Sequence, residues 1–172
     1  MTKKTSSRTS GPLQTSPRGG FQAGHSPSGE KEEGRFLFLS LGSNLGDRAD
    51  MLHRAIALIN ERVGTVQRVS SFIETEPWGF QSEHPFLNAA CMVQTTLSPI
   101  ECLDATQQIE RELGRTTKSS GGIYHDRPID IDLLMYDDVK LSTPRLTLPH
   151  PLMQERDFVM IPLREILPTA RE

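Results

Sequence analysis

Two aspartates one residue apart, Asp130 and Asp132, are the side chains in this sequence with the clearest capacity for chemistry. They lie in a stretch, residues 128–136, that opens with a proline and is otherwise rich in isoleucine and leucine, which predicts a strand. Side chains alternate between the two faces of a strand, so both carboxylates project from one face, about 6 to 7 Å apart along it. The neighbouring isoleucines and leucine, Ile129, Ile131 and Leu133, then point the other way into a core.

Two carboxylates at this spacing repel each other and attract a cation. Mg²⁺ suits them because it takes oxygen ligands and usually binds through one or two carboxylates together with substrate phosphates. Arg127, just before the strand, is suited to contact those phosphates. The alternative is an exposed polar strand face, but aspartate is a poor strand former and no Lys or Arg alternates with the pair. The pattern predicts magnesium-dependent phosphoryl chemistry.

The composition limits the class of protein. The 172 residues suffice for one folded domain with its own core. No apolar run approaches the roughly 18 to 20 residues of a membrane helix, and no apolar stretch follows the basic residues near the start, so we expect neither a membrane span nor a secretory leader. Cys91 and Cys102 are not in metal-binding spacing, which favours reduced thiols in a cytoplasmic protein.

Charge and composition also separate a tail from a domain. Residues 1–34 are rich in Ser, Thr, Gly and Pro and have a net charge of +2, whereas residues 35–172 have a net charge of −5. The first segment holds too few apolar residues to offset the entropy of ordering, so we predict a disordered polar tail. The acidic domain argues against nucleic acid as a partner, because phosphate contacts need basic residues.

The domain reads as alternating strands and helices. An apolar run ends at Gly42, a Gly-rich turn follows, and Asp47 can cap a helix that stops at Gly64. This turn matches neither G-x-x-x-x-G-K-[ST] nor G-x-G-x-x-G, so a structural turn is favoured over a phosphate loop. A second strand covers residues 66–74 and a third 86–96, and Ser98 with Glu101 forms a capping box that begins a second helix.

The remaining segments are short. We predict a strand at 139–141, an extended piece at 146–148 and short apolar segments at 156–166. Two long polar segments, 75–85 and 115–127, read as functional loops that are mobile when empty and close over ligands. The order strand, helix, strand, strand, helix, strand predicts an α+β, ferredoxin-like split β-α-β sandwich, a mainly antiparallel sheet with helices packed on one face.

Six blocks in this order resemble the 6-hydroxymethyl-7,8-dihydropterin pyrophosphokinase family of folate biosynthesis, over residues 36–168. They are LGSNLG at 41–46, ETEPWG at 74–79, FLNAA at 86–90, QQIE at 107–110 followed by Gly114 and Arg115, DRPIDIDLL at 126–134, and LTLPHP at 146–151 with Arg156 and Phe158. The resemblance implies transfer of pyrophosphate from ATP to the pterin hydroxymethyl group, with release of AMP, by a monomer whose partners are these two small molecules.

The resemblance also implies roles for individual residues. It implies that two Mg²⁺ ions bind Asp130 and Asp132, and that catalysis involves Arg115, Arg127, Asp130 and Asp132. It implies an ATP site formed by Gln107, Glu110, Arg115, Lys118, Arg127, His150 and Arg156. It implies a pterin pocket formed by Thr75, Pro77, Trp78, Phe86, Asn88 and Phe158.

Two other functions fit parts of the pattern. An RNA-recognition module shares the predicted element order, but it needs a basic face and strand aromatics that this domain lacks. A magnesium-dependent nucleotidyltransferase or phosphohydrolase could use the aspartate pair, but it does not require Trp78 or Asn88. An assay that distinguishes AMP from ADP as product separates these functions.

Overall fold

The computed structural model describes residues 34–75, 85–114 and 128–168. Within these ranges, the elements in chain order are β1 (Arg35–Ser43), α1 (Arg48–Arg62), β2 (Thr65–Val69), β3 (Ile73–Thr75), β4 (Phe86–Thr95), α2 (Pro99–Glu112), β5 (Asp130–Tyr136), β6 (Leu141–Ser142), β7 (Thr147–Leu148), a 3-10 turn (Met153–Glu155) and α3 (Asp157–Ile166). The predicted tail and most of both predicted loops lie outside the described residues.

The main sheet contains five strands of the described ranges. Its order is β2-β4-β1-β5, and β3 pairs with β4 beyond the end of β2. Neighbouring strands all run antiparallel. The predicted split β-α-β arrangement is confirmed, with β1 and β4 central because they carry the long apolar runs, and β5 at an edge.

Alternation along the central strands produces two apolar faces. One face packs on α1 and α2 through buried residues that include Leu39, Cys91, Leu52 and Ile109. The other face, which includes Phe38, Met92 and Leu134, packs on α3. The prediction of helices on one face alone is therefore wrong: α1 and α2 share a face, and α3 covers part of the opposite one.

The third helix was missed because Pro162 lies inside it. A proline removes one backbone hydrogen bond from a helix and lowers its propensity, so sequence reasoning broke the segment into short pieces. Val159, Leu163 and Ile166 are nevertheless buried along one side of α3, against the sheet. The free energy gained by burying this apolar stripe outweighs the cost of Pro162 to helix formation.

The predicted strand over residues 66–74 is two strands. Between them, Ser70 still donates its backbone N–H to Ala90 O of β4 at 2.9 Å. Ser71 instead donates its backbone N–H and its hydroxyl to the Glu165 carboxylate of α3, at 3.0 and 2.9 Å. The first strand, in contrast, is longer than predicted and continues through Gly42 to Ser43.

The predicted helix starts are confirmed. Asp47 accepts a hydrogen bond from Asp50 N, and Ser98 and Glu101 form the reciprocal capping box. Cys91 and Cys102 are free and buried, and burial raises the pKa of the Cys91 thiol to about 12. In the described part of the chain, no helix has the length and apolar character needed to cross a bilayer.

Candidate active site

Asp130 and Asp132 lie half-buried on edge strand β5, on the face that α3 partly covers. In the antiparallel ladder with β1, Asp130 stands opposite Gly42 and Asp132 opposite Ser40. The hydrophobic neighbours on the other face, Ile129, Ile131 and Leu133, are buried in the α1 and α2 core, as predicted. The alternation of β5 thus presents both carboxylates on one side of the sheet.

A row of three residues crosses the sheet at the level of Asp130. Gly42 of β1 pairs with Asp130 on one side and with Asn88 of β4 on the other. Directly paired residues share a face, and neighbouring strands lie about 4.8 Å apart, so the Asn88 and Asp130 positions stand about 10 Å apart across Gly42. The next row, Ala90, Ser40 and Asp132, also has a small residue on its central strand.

Gly42 is required by space rather than by its backbone angles. A Cβ at this position would lie 3.0 Å from Asn88 Oδ1 and 3.3 Å from Phe86 Cδ1, closer than ordinary van der Waals contact. Its φ is not in the left-handed region that favours glycine. Glycine here leaves the floor between Asn88 and Asp130 free of side-chain atoms.

Asn88 is held in place by a neighbouring strand. It is buried, and its Nδ2 donates a 2.6 Å hydrogen bond to Thr75 Oγ1 at the end of β3. An amide nitrogen carries two hydrogens, so this contact orients the group and leaves one further donor and the carbonyl oxygen for a ligand. Phe86 lies two residues before Asn88, on the same face of β4, and is half-buried. The structure therefore brings together three of the predicted pterin residues.

Arg156 and Phe158 stand at the beginning of α3. Arg156 is buried, and its guanidinium carbon lies 5.6 Å from the centre of the Phe158 ring, a cation–π distance. Phe158 also packs against the α3 core cluster. Arg156, which is predicted to contact the triphosphate, is therefore in contact with Phe158, which is predicted to contact the pterin.

His150 follows the cis Leu148–Pro149 peptide. Its backbone N–H donates to Leu134 O at 2.8 Å, which attaches it to the strand that carries the aspartates. Burial and the nearby Arg156 charge lower the pKa of the imidazole, while Asp130 acts in the opposite sense. Its Nδ1 accepts from Leu152 N at 3.2 Å, so the neutral ring carries its proton on Nε2 and can donate it.

Gln107 and Glu110, predicted to lie near the nucleotide, are neighbours one turn apart on α2. Gln107 is half-buried, whereas Glu110 is buried. Glu110 Oε2 accepts a 2.6 Å hydrogen bond from the backbone N–H of Ile131, the residue between the two aspartates. The structure thus records a contact of Glu110 with the backbone of β5.

The donor set suits magnesium. Among the described residues there is no group of three or more His, Cys, Asp or Glu placed to hold a metal. Two carboxylates on one face are nevertheless what Mg²⁺ uses when substrate phosphates and water complete its octahedron. The chemistry of Asp130 and Asp132 therefore fits this ion.

Five of the predicted site residues cannot be located in this way. Pro77, Trp78, Arg115, Lys118 and Arg127 lie outside the described residues.

Sequence reasoning also missed two residues beside the site. Gly42 was interpreted as the start of a turn and as part of the LGSNLG block, and neither signal indicated a place in the site. Arg48 carried no signal. Its Nη1 donates to Pro85 O at 2.8 Å and its Nη2 lies 2.7 Å from Glu74 Oε2.

Comparison with known proteins identifies the family of the chain. The family model described as 7,8-dihydro-6-hydroxymethylpterin-pyrophosphokinase (HPPK) matches residues 38–168. The chain is similar to the 2-amino-4-hydroxy-6-hydroxymethyldihydropteridine pyrophosphokinase of Porphyromonas gingivalis, with 55% identity over 133 residues that cover 77% of this chain and 90% of that protein. It is also similar to the Bacillus subtilis protein of the same name, with 45% identity over 75% of this chain and 76% of the relative.

A solved structure shares the fold. The wild-type Plasmodium falciparum HPPK-DHPS chain superposes with a TM-score of 0.62 at 16% identity, over 81% of this chain. The match spans 39% of that longer chain.

Proposed function

The chain belongs to the 7,8-dihydro-6-hydroxymethylpterin-pyrophosphokinase family, and we propose that Asp130 and Asp132 carry its reaction as ligands of two Mg²⁺ ions. The enzyme transfers pyrophosphate from ATP to the hydroxymethyl group of 6-hydroxymethyl-7,8-dihydropterin, giving AMP and the pterin diphosphate in folate biosynthesis. In this reaction the hydroxymethyl oxygen bonds to the β-phosphorus of ATP. The bond between that phosphorus and the oxygen that leaves with AMP breaks, and the hydroxyl proton is released.

The row Asn88, Gly42 and Asp130 is the observation that carries the proposal. Asn88, oriented by Thr75, reads the polar edge of the pterin, and its position stands about 10 Å from that of Asp130. A pterin that lies over Gly42 directs its hydroxymethyl group toward the aspartates. Binding in this orientation supplies the positioning on which phosphoryl transfer depends, because no side chain needs to attack.

The pterin also needs aromatic contacts. Phe86 lies beside Gly42 on the floor, and Phe158 lies at the beginning of α3. A flat heterocycle gains buried area and stacking energy from such rings, while its edge bonds supply selectivity. The predicted Pro77 and Trp78 remain part of this proposal.

The basic residues and hydrogen-bond donors of the site are proposed to bind the triphosphate of ATP. Arg156 supplies a charge beside Phe158, and His150 supplies a neutral Nε2–H donor next to β5. Arg115, Lys118 and Arg127 are proposed to add further positive charge. Asp130 and Asp132 would hold magnesium, which would supply charge neutralisation of the triphosphate and make the hydroxyl group more acidic. The arginines stabilise the charge that remains during transfer.

An assay with purified protein, ATP and 6-hydroxymethyl-7,8-dihydropterin tests the proposal. We expect AMP rather than ADP, and a loss of turnover of about a hundredfold or more in Asp130→Asn and in Asp132→Asn, because an unneutralised triphosphate is not aligned. Asp138→Asn is the matched control, since Asp138 is an exposed aspartate just past the end of β5. Folded Asp130 and Asp132 variants with near wild-type turnover would refute the assignment.

A further inference from the structure

Glu110 is a buried carboxylate aimed at the backbone of the strand that carries both aspartates. With 5% of its surface exposed, it accepts the Ile131 N–H at 2.6 Å. We propose that Glu110 is a positioning residue that fixes the relative orientation of Asp130 and Asp132. This inference rests on the proposed function, because it takes those two residues as the metal ligands.

The topology explains why this contact matters. β5 is an edge strand, and backbone N–H groups of successive residues point to opposite sides of a strand. Because Ile131 directs its N–H toward α2, Asp130 and Asp132 direct theirs toward β1, where they pair with Gly42 and Ser40. Residues 130–132 are therefore held on both edges of the strand, by α2 at Ile131 and by β1 at Asp130 and Asp132.

The hydrogen bond acts on one specific peptide group. The Ile131 N–H belongs to the peptide whose carbonyl comes from Asp130, so the hydrogen bond fixes the peptide plane that joins Asp130 to Ile131, the residue between the two aspartates. The orientation of that plane constrains ψ of Asp130 and φ of Ile131, and through these angles the direction of the Asp130 side chain relative to that of Asp132. Mg²⁺ demands near-ideal octahedral geometry, and a small rotation at an unpinned strand edge would change the separation of the two carboxylates.

The energetics also favour a positioning role. A buried carboxylate is costly to desolvate, and an apolar side chain of similar volume commonly stabilises a fold as well or better. A charge-assisted hydrogen bond to a backbone N–H is, however, stronger and more directional than a neutral one. Glu110 sits on a rigid support, because Thr106 and Ile109 of the same helix are buried against the sheet core.

Direct contact with the nucleotide is the competing role, which the family resemblance implies. The small exposed fraction of Glu110 leaves little of its surface for a ribose hydroxyl. The two roles differ in what a substitution weakens. A positioning residue affects metal affinity and turnover for every nucleotide, whereas a ribose ligand affects only nucleotides that carry the hydroxyl group.

The experiment compares Glu110→Ala, Glu110→Gln and the control Glu112→Ala. Glu112 lies on the same helix but is exposed and pairs with Arg62. The first readout is the Ile131 amide in ¹⁵N–¹H spectra of the metal-free protein. We expect a protected amide with a large downfield shift in wild type, loss of both properties in Glu110→Ala, and partial retention in Glu110→Gln, whose side-chain carbonyl can still accept.

The second readout is the affinity of Mn²⁺, used as a paramagnetic probe, for the protein saturated with a non-hydrolysable ATP analogue. We expect about 10- to 100-fold weaker Mn²⁺ binding in Glu110→Ala, a smaller loss in Glu110→Gln and none in Glu112→Ala, the range found when residues that orient metal ligands are replaced. Metal-free affinities for ATP, 2′-deoxy-ATP and 3′-deoxy-ATP should change less than twofold.

The outcomes separate this inference from the proposed function. If wild type binds Mn²⁺ in an Asp130-dependent way and both Glu110 variants bind it equally well, the inference is overturned and the metal site stands. If Glu110→Ala weakens ATP but not a deoxy analogue, Glu110 is a ribose ligand and the inference also fails. If wild type shows no Asp130-dependent Mn²⁺ binding, the proposed metal site itself fails. Should Glu110→Ala not fold, the graded response of Glu110→Gln decides between these outcomes.

Discussion

Gly42 is the residue at which the two halves of the candidate site meet. It separates the amide of Asn88 from the carboxylate of Asp130 in one row of the sheet, and the space above it is limited by Asn88 and Phe86. A methyl group there would push the Asn88 oxygen by a few tenths of an ångström or tilt the Phe86 ring. The absence of a side chain is therefore as much a part of the proposed pterin pocket as the side chains that surround it.

We expect Gly42→Ala to weaken pterin binding by about tenfold, or about 1.4 kcal/mol, because the methyl group occupies the floor on which the ring lies. Metal-free ATP affinity should remain within twofold of wild type. Calorimetric titration of each ligand measures both quantities. Gly46→Ala is the control: Gly46 has a φ of +68 with nothing near its Cβ position, so this change should strain the backbone without affecting pterin affinity. Equal losses of pterin and ATP affinity in Gly42→Ala would indicate a general distortion of the sheet.

Asn88→Ala should weaken pterin binding by about 1 to 3 kcal/mol, because it leaves a polar edge of the ligand unpaired, and should spare ATP. Thr75→Val tests the orientation of the Asn88 amide, because it removes the 2.6 Å hydrogen bond but keeps the shape of the side chain. We expect it to lower pterin affinity by less than Asn88→Ala does. Calorimetry with a non-hydrolysable ATP analogue measures both affinities. A parallel fall in ATP and pterin affinity would mean that Asn88 holds the fold rather than the ligand.

At the scale of elements, α1 and the β3–β4 pair are connected by Arg48. Its guanidinium contacts the carbonyl of Pro85 and the carboxylate of Glu74, which lie on opposite sides of the segment 76–84 that carries Pro77 and Trp78. The pairing of Thr75 with Phe86 already brings the two ends of this segment together, and the beginning of α1 adds a side-chain contact to both.

We expect Arg48→Ala to raise the KM for the pterin by about 5- to 20-fold with little change in the KM for ATP, because losing the contacts to Glu74 and Pro85 adds conformational entropy next to the segment that binding must remove. The ion pair is partly exposed, so the free energy of unfolding should fall by no more than about 1 kcal/mol. Arg54→Ala is the matched control, since Arg54 lies on α1 and makes an exposed i,i+4 pair with Asp50. Steady-state kinetics and urea unfolding check both values. An unchanged pterin KM would show that Arg48 has no role in binding.

At the scale of the whole molecule, the sheet serves two purposes on its two faces. The face that packs on α1 and α2 is mostly apolar and contains most of the core. The opposite face is divided, because α3 covers Phe38, Met92 and Leu134 while Gly42, Asn88 and Asp130 lie beyond the α3 cluster. The division leaves an area of sheet for ligands next to the beginning of α3, where Arg156 and Phe158 stand.

Deletion of residues 1–33 should leave turnover and melting temperature unchanged within error, because the composition of this segment offers little apolar area to bury. Gly34 is kept in the shortened protein because it lies against Gln94 and Thr95. Differential scanning calorimetry and the AMP assay measure the two quantities. A melting temperature several degrees lower would show that the segment packs on the domain.

The sequence by itself determined the features that depend on neighbouring residues. Asp130 and Asp132 lie on one face of the sheet because side chains alternate along a strand. The starts of α1 and α2 follow from the capping residues Asp47 and Ser98 with Glu101. The third helix resisted local reasoning for the opposite reason. Pro162 gives α3 a local signal against helix, and only burial on the sheet overrides it.

The tertiary structure alone decided which distant residues meet. Gly42, Asn88 and Asp130 are more than 40 residues apart in sequence, and their alignment depends on the register of three strands, which no single stretch encodes. The same holds for Glu110, whose family resemblance points to the nucleotide while its hydrogen bond goes to Ile131. Register and helix docking are set by the burial of both apolar faces together, so the sequence supplies candidate site residues but does not predict which of them are in contact.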